Sequence, residues 1–258
     1  RSARVTHLWG AKMVGPPARP AVVAVFRPRL SNARLKMTMA VTGIVFIAYV
    51  AVHMIGNLKV YLGADSMNDY AGFLRELLVP LLPQESVLWA LRVVLIVCLV
   101  GHIGAAWMLT RRARAAGAMR TSRGHRVVWW RSFTSRTMPT SGIVIGAFIV
   151  FHVLDLTVGT TGAGGFRHPE TIGGDTRYFA YENLVAGFQR PTVAVFYIIA
   201  MVFLGAHLMH GAWAAINDLG VTAGRSRRVG WIVGTVLAAV VMVGNISIPL
   251  AVMVGVVS

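Results

Sequence analysis

Four histidines sit where histidine is costly. His53, His102, His152 and His207 fall in four separate apolar stretches, each long enough to cross the ~30 Å hydrocarbon layer of a bilayer. Ionisable side chains at such depth are expensive and usually functional. A neutral imidazole carries one N–H donor and one lone pair. It can therefore bridge to a neighbouring helix or ligate a metal. Four imidazoles in four stretches point to the second use: two of them facing each other across a helix bundle suit axial ligation of a haem iron.

The spacing sharpens this. Thr42–His53 reads TGIVFIAYVAVH and Ser141–His152 reads SGIVIGAFIVFH, with Gly, Ile, Val, Ala and His at the same offsets. At ~1.5 Å per helical residue, His53 and His152 lie roughly 25 Å from the nearest basic residue on one side of their stretches. His102 and His207, on stretches running the other way, lie roughly 15 Å from that edge. Two layers follow, an outer pair His53/His152 and an inner pair His102/His207. Tyr49 and Phe148 lie one turn before the outer histidines on the same face. Gly43 and Gly142 either make room for a porphyrin or serve ordinary helix packing. Asp155 is either an acceptor behind His152 or a group in interfacial water. His210 lies one turn after His207, so either can be the ligand. Cys98 lies four residues before His102, as a small apolar filler or as a ligand of an iron–sulfur centre.

The elements that must hold these residues are long helices. The chain has 258 residues, 56% hydrophobic and only 13% charged, with a mean hydropathy of +0.65. A soluble domain of this size needs more charge on its surface. The expected fold is all-α, with five transmembrane helices in a bundle over about 37–57, 87–110, 139–159, 192–216 and 230–255, Pro139 opening the third. Residues 1–36 form a basic arm and 37–258 the membrane domain. The first apolar run is a full span with no cleavage site after it, so no signal peptide is expected. The single cysteine forbids an intrachain disulfide.

Charge gives the topology. The arm, the 111–138 linker and the 217–229 turn together hold nineteen of the 25 Lys and Arg residues. Segments 58–86 and 160–191 hold five. The positive-inside rule then puts the N-terminus in the cytoplasm and the C-terminus outside. The same confinement argues against a nucleic-acid groove.

A quinone site needs an apolar slot with donors for two carbonyls. Candidates are Trp129, Trp130, Arg131 and Ser141, with His125 and Arg136, on the inner side. On the outer side they are Asn68, Tyr70 and Glu76, with Asp65 and Arg75.

Together the segments TGIVFIAYVAVHMIGN, GADSMNDYAGFLRE, GHIGAAW, SGIVIGAFIVFHVLDL and HLMHGAWAAINDLG resemble the single-chain, five-span cytochrome b membrane anchor of succinate dehydrogenases and fumarate reductases. The resemblance covers about residues 37–255. It implies a multi-pass protein of the bacterial inner membrane that holds two haems b. The distal haem falls to His53 and His152, and the proximal haem to His102 and His207, the first histidine of HLMHG. It implies flavoprotein and iron–sulfur partner subunits, with menaquinone or ubiquinone as electron acceptor. Dicarboxylate chemistry belongs to the partners, since this chain has neither a dinucleotide fingerprint nor a multi-cysteine motif. A Rieske-type centre at the inner pair is the alternative cofactor, with Cys98 as its single thiolate. Rival functions are the cytochrome b anchor of a hydrogenase or formate dehydrogenase, and a transporter or proton channel using the histidines as a relay.

Overall fold

The computed structural model describes residues 30–115, 129–162, 164–221 and 223–258, and side chains within these except at 129–136. Arg1–Leu30 separates from Ser31–Ser258 in its contacts; the latter unit holds all the elements below.

Helix α1 (Asn32–Asn57) begins five residues before the expected span. The cause is Ser31, whose hydroxyl accepts the Arg34 N–H at 3.2 Å and caps the helix. A 3-10 turn, Leu58–Leu62, extends it. Next come α2 (Ala64–Glu76) and α3 (Ser86–Ala115). Helix α4 (Trp129–Val153) widens into a π-turn at Leu154–Val158, then stops at left-handed Gly159. Strands β1 (Glu170–Ile172) and β2 (Asp175–Arg177) follow, then α5 (Ala180–Phe188), α6 (Pro191–Asp218) and α7 (Gly224–Met253).

Five helices are long and apolar enough to cross a membrane: α1 with its 3-10 turn, α3, α4 with its π-turn, α6 and α7. Three details differ from expectation. Pro139 lies inside α4, not in its first turn. Nothing from Trp129 to Met138 breaks a helix, so winding starts upstream and the proline removes one internal hydrogen bond. The connection 58–86 contains α2, and 160–191 contains α5. The second also holds a hairpin, a small exception to an all-α chain. Gly173 and Gly174, with φ of 64° and 95°, supply the mirror-image turn that two-residue hairpins require.

Helix α6 is the hub: it packs on α1, α4, α5 and α7, while α3 packs chiefly on α1. Among the described residues, α1 makes no extended contact with α4, nor α3 with α6. A buried cluster around Val60, Leu184, Phe188, Tyr197, Ile248 and Val252 joins the 3-10 turn after α1 to α5, α6 and α7. A second, of Met54, Leu208, Ala238 and Val241, joins α1, α6 and α7.

The α6–α7 seam is tight. A Cβ built on Gly234 would sit 2.8 Å from the Cβ of Ala212, which has no rotamer with which to retreat. Gly234→Val is therefore expected to destabilise the chain by about 1–3 kcal/mol. A thermal midpoint in mild detergent equal to that of the unaltered protein would refute the close approach.

Candidate functional site

The structure brings the four histidines together in twos. His53 of α1 and His152 of α4 have ring centroids 5.8 Å apart, with planes at 84°. His102 of α3 and His207 of α6 are 6.5 Å apart, with planes at 56°. Each pair spans helices that do not otherwise pack on each other.

At the His102/His207 level the same device appears twice. Thr42 Oγ1 lies 2.7 Å from the Thr38 carbonyl and 2.9 Å from His102 Nδ1. A hydroxyl has one proton, and a carbonyl can only accept. One arrangement satisfies both contacts: the hydroxyl donates to the Thr38 carbonyl, and His102 Nδ1–H donates to Oγ1. Ser141 Oγ lies 3.0 Å from the Met138 carbonyl and 3.0 Å from His207 Nδ1, which gives the same assignment. Both hydroxyls are buried. In that arrangement both imidazoles are Nδ1–H tautomers with the Nε2 lone pair available, the state a metal ligand needs. Beside them, Cβ atoms on Gly43 and Gly142 would each lie 3.7 Å from the Cε1 of His102 and His207 respectively. The two glycines therefore border this pair, and Phe46 adds an edge-on contact to His102 at 6.0 Å.

At the His53/His152 level the walls are aromatic. Tyr49 stacks on His53 at 5.4 Å and Phe148 on His152 at 5.6 Å, one turn before each. Behind His152 stands a buried polar group. Asp155, 1% exposed, pairs with Arg190 and accepts from Thr161. Arg190 also donates to the Thr161 and Gly187 carbonyls at 3.1 and 3.2 Å. Tyr197 donates to Asp155 Oδ2 at 3.1 Å, and its oxygen faces His152 Nδ1 at 3.4 Å. Asp155 is therefore not in interfacial water. It reaches His152 through Tyr197 rather than directly. Thr42 and Tyr197 are absent from the sequence candidates. The Thr/Ser-Gly dipeptide repeated at 42–43 and 141–142 is the signal for the first; nothing local marks the second.

Eleven residues, ~16 Å of helix, separate Thr42 from His53 on α1, and Ser141 from His152 on α4. The pairs therefore occupy two levels.

The other candidates are placed as follows. Ser141 is engaged by His207, which removes it as a free quinone donor. Asn68 is likewise engaged: its amide donates to Glu182 at 3.0 Å and accepts the Tyr181 N–H at 3.0 Å, tying α2 to α5. The Tyr70 ring packs over Gly56, 5.2 Å from Lys59 Nζ. Arg75 pairs with Glu85 at 3.2 Å and covers the Tyr178 ring, while Glu76 is exposed. His210 lies 6.0 Å from Trp213. Cys98 is half-buried on α3. No group of three or more His, Cys, Asp or Glu converges among the described residues. His125 falls outside the described residues, as do the side chains of Trp129, Trp130, Arg131 and Arg136.

Removing a hydroxyl anchor frees its imidazole to turn. If the His102/His207 pair holds the haem that the sequence leads one to expect, Thr42→Val and Ser141→Ala should each lower its affinity by about 10–100-fold. Retention under competition from a haem-scavenging protein measures this, and unchanged retention in both variants would show that the hydroxyls are bystanders. No family model, curated protein or solved structure matches the chain.

Proposed function

We propose that this chain is the membrane anchor of a succinate:quinone oxidoreductase. In this reading it holds two haems b and carries electrons between a cytoplasmic iron–sulfur subunit and membrane quinone. The observation that carries the proposal is the pair of histidine couples, one at each of two levels, with the Thr42 and Ser141 hydroxyls against the Nδ1 atoms of the inner rings.

The residues fit such a group. With ring centroids 5.8 and 6.5 Å apart, each couple could offer one imidazole from either helix to a single iron. Gly43 and Gly142 leave the flank of the inner rings without bulk. His53 with His152, and His102 with His207, would hold the two irons, and haem would supply one-electron chemistry. The chain's own work is orientation and exclusion of water. Thr42 and Ser141 fix the inner imidazoles. Tyr49 and Phe148 wall the outer ones, and the Asp155–Tyr197 pair backs His152. Asp155 is already claimed by Arg190, so it acts as a holder and not as a proton carrier, which disfavours a relay channel.

The 111–138 and 217–229 side faces the cytoplasm in this reading, because nineteen of 25 basic residues fall in these two segments and the N-terminal arm. That surface suits docking of the catalytic subunits. A reduced-minus-oxidised spectrum of the purified chain tests the proposal. Sharp haem bands with two haems per chain are expected. Broad weak absorption would point to an iron–sulfur centre, and absence of any redox signal would overturn the reading.

A further inference from the structure

The arginine-rich end of the molecule has a charge problem that its own residues do not solve. Of the nine acidic residues, only Asp218 lies at this end, and it pairs with Lys36 at 3.2 Å. Arg227 and Arg228 make no ion pair among the described residues. Both line an open cleft of about 430 Å³ between the last turns of α6 and the first two turns of α7. Trp213 and Trp231 stand on its walls, with Gly224 and Ile232 completing it.

Below the cleft the character changes. Val229, Ile232, Val236, Val240 and Val243 are all exposed, from 47% to 61%. Their spacing of three, four, four and three residues puts them on one face of α7. The face runs fourteen residues, ~21 Å, away from the arginines. Two cations above, tryptophans at the boundary and a long apolar track below match one ligand: a phosphodiester headgroup with its acyl chain.

We infer that the cleft between α6 and α7 is a binding site for an anionic glycerophospholipid, with Arg227 and Arg228 on the phosphate and the α7 valine face along the acyl chain. A soluble acidic protein would use the arginines but leave the apolar track uncovered, so lipid is the better occupant. Basic clefts between spans on the cytoplasmic side are suited to such headgroups. Tryptophan belongs at the same depth. The inference is independent of what the histidine pairs hold.

Native mass spectrometry of the full chain, released from nanodiscs of phosphatidylcholine and phosphatidylglycerol, tests it. The unaltered chain is expected to retain phosphatidylglycerol over phosphatidylcholine. Arg227→Gln/Arg228→Gln should reduce that retention by about 25-fold, at about fivefold per arginine. The charge-matched control Arg111→Gln/Arg114→Gln, on α3, should leave it unchanged. Inorganic phosphate at millimolar concentration should not displace the lipid, because it lacks the acyl chain. Three results would overturn the inference: equal loss in the control, displacement by phosphate, or unchanged lipid retention in the cleft variant.

Discussion

On the proposed reading, in which each couple holds a haem, replacing His102 or His207 with alanine is expected to abolish electron delivery to quinone. His102 also packs on Thr42, Gly43 and Phe46 of α1, so a thermal midpoint in detergent must first show that each variant is folded. The His53/His152 level lies three turns away with its own walls and should keep its group. The haem content should therefore fall by half. Quinone reduction should drop at least about a hundredfold, since loss of a direct ligand exceeds the 10–100-fold typical of losing its supporting partner. Succinate oxidation measured with soluble dyes on the assembled complex should persist, because that chemistry belongs to other subunits in the proposed reading. Quinone reduction surviving in both variants would rule out the His102/His207 level as the entry point.

The second large effect concerns stability. Arg190→Leu strands the Asp155 carboxylate, whose side chain is 0% exposed, without its cation. Breaking a buried pair from one side typically costs 3–5 kcal/mol, because the remaining charge is left uncompensated. Arg190 is itself 24% exposed, so water shares some of its work and the lower end, about 3 kcal/mol, is expected. Adding Asp155→Asn to Arg190→Leu should recover part of the loss, and this double-mutant cycle isolates the pair from packing changes. The unfolding midpoint in detergent is the readout. An unshifted midpoint for Arg190→Leu would mean that Thr161 and Tyr197 alone stabilise the carboxylate.

Much of the arrangement is legible in the sequence because it follows from single-segment properties. Apolar length gives the five long helices. The matched histidine depths give the couples His53/His152 and His102/His207, since depth is a linear function of residue number in a helix. The stacking of Tyr49 and Phe148 follows from four-residue spacing. What escapes is whatever depends on two distant segments meeting. Asp155 and Arg190 are 35 residues apart and flank a glycine-rich connection whose path no periodicity reports. Tyr197 looks like any aromatic in an apolar run until α6 packs on α4. The Ser141 hydroxyl reads as a rim donor because its partner, His207, lies on another helix. Helix α2 escapes for a different reason: its charged face and short length resemble a loop until α5 covers its other side through Asn68 and Glu182.

Each couple takes one ring from the α1/α3 half and one from the α4/α6 half, and the halves meet along α1 and α6. Half the chain is thus half of two sites and the whole of neither. The α1–α6 contact acts as a common spine: any rocking of one half against the other stretches or compresses both gaps in concert. A bulky intrusion there would be registered by both couples together and not by one alone.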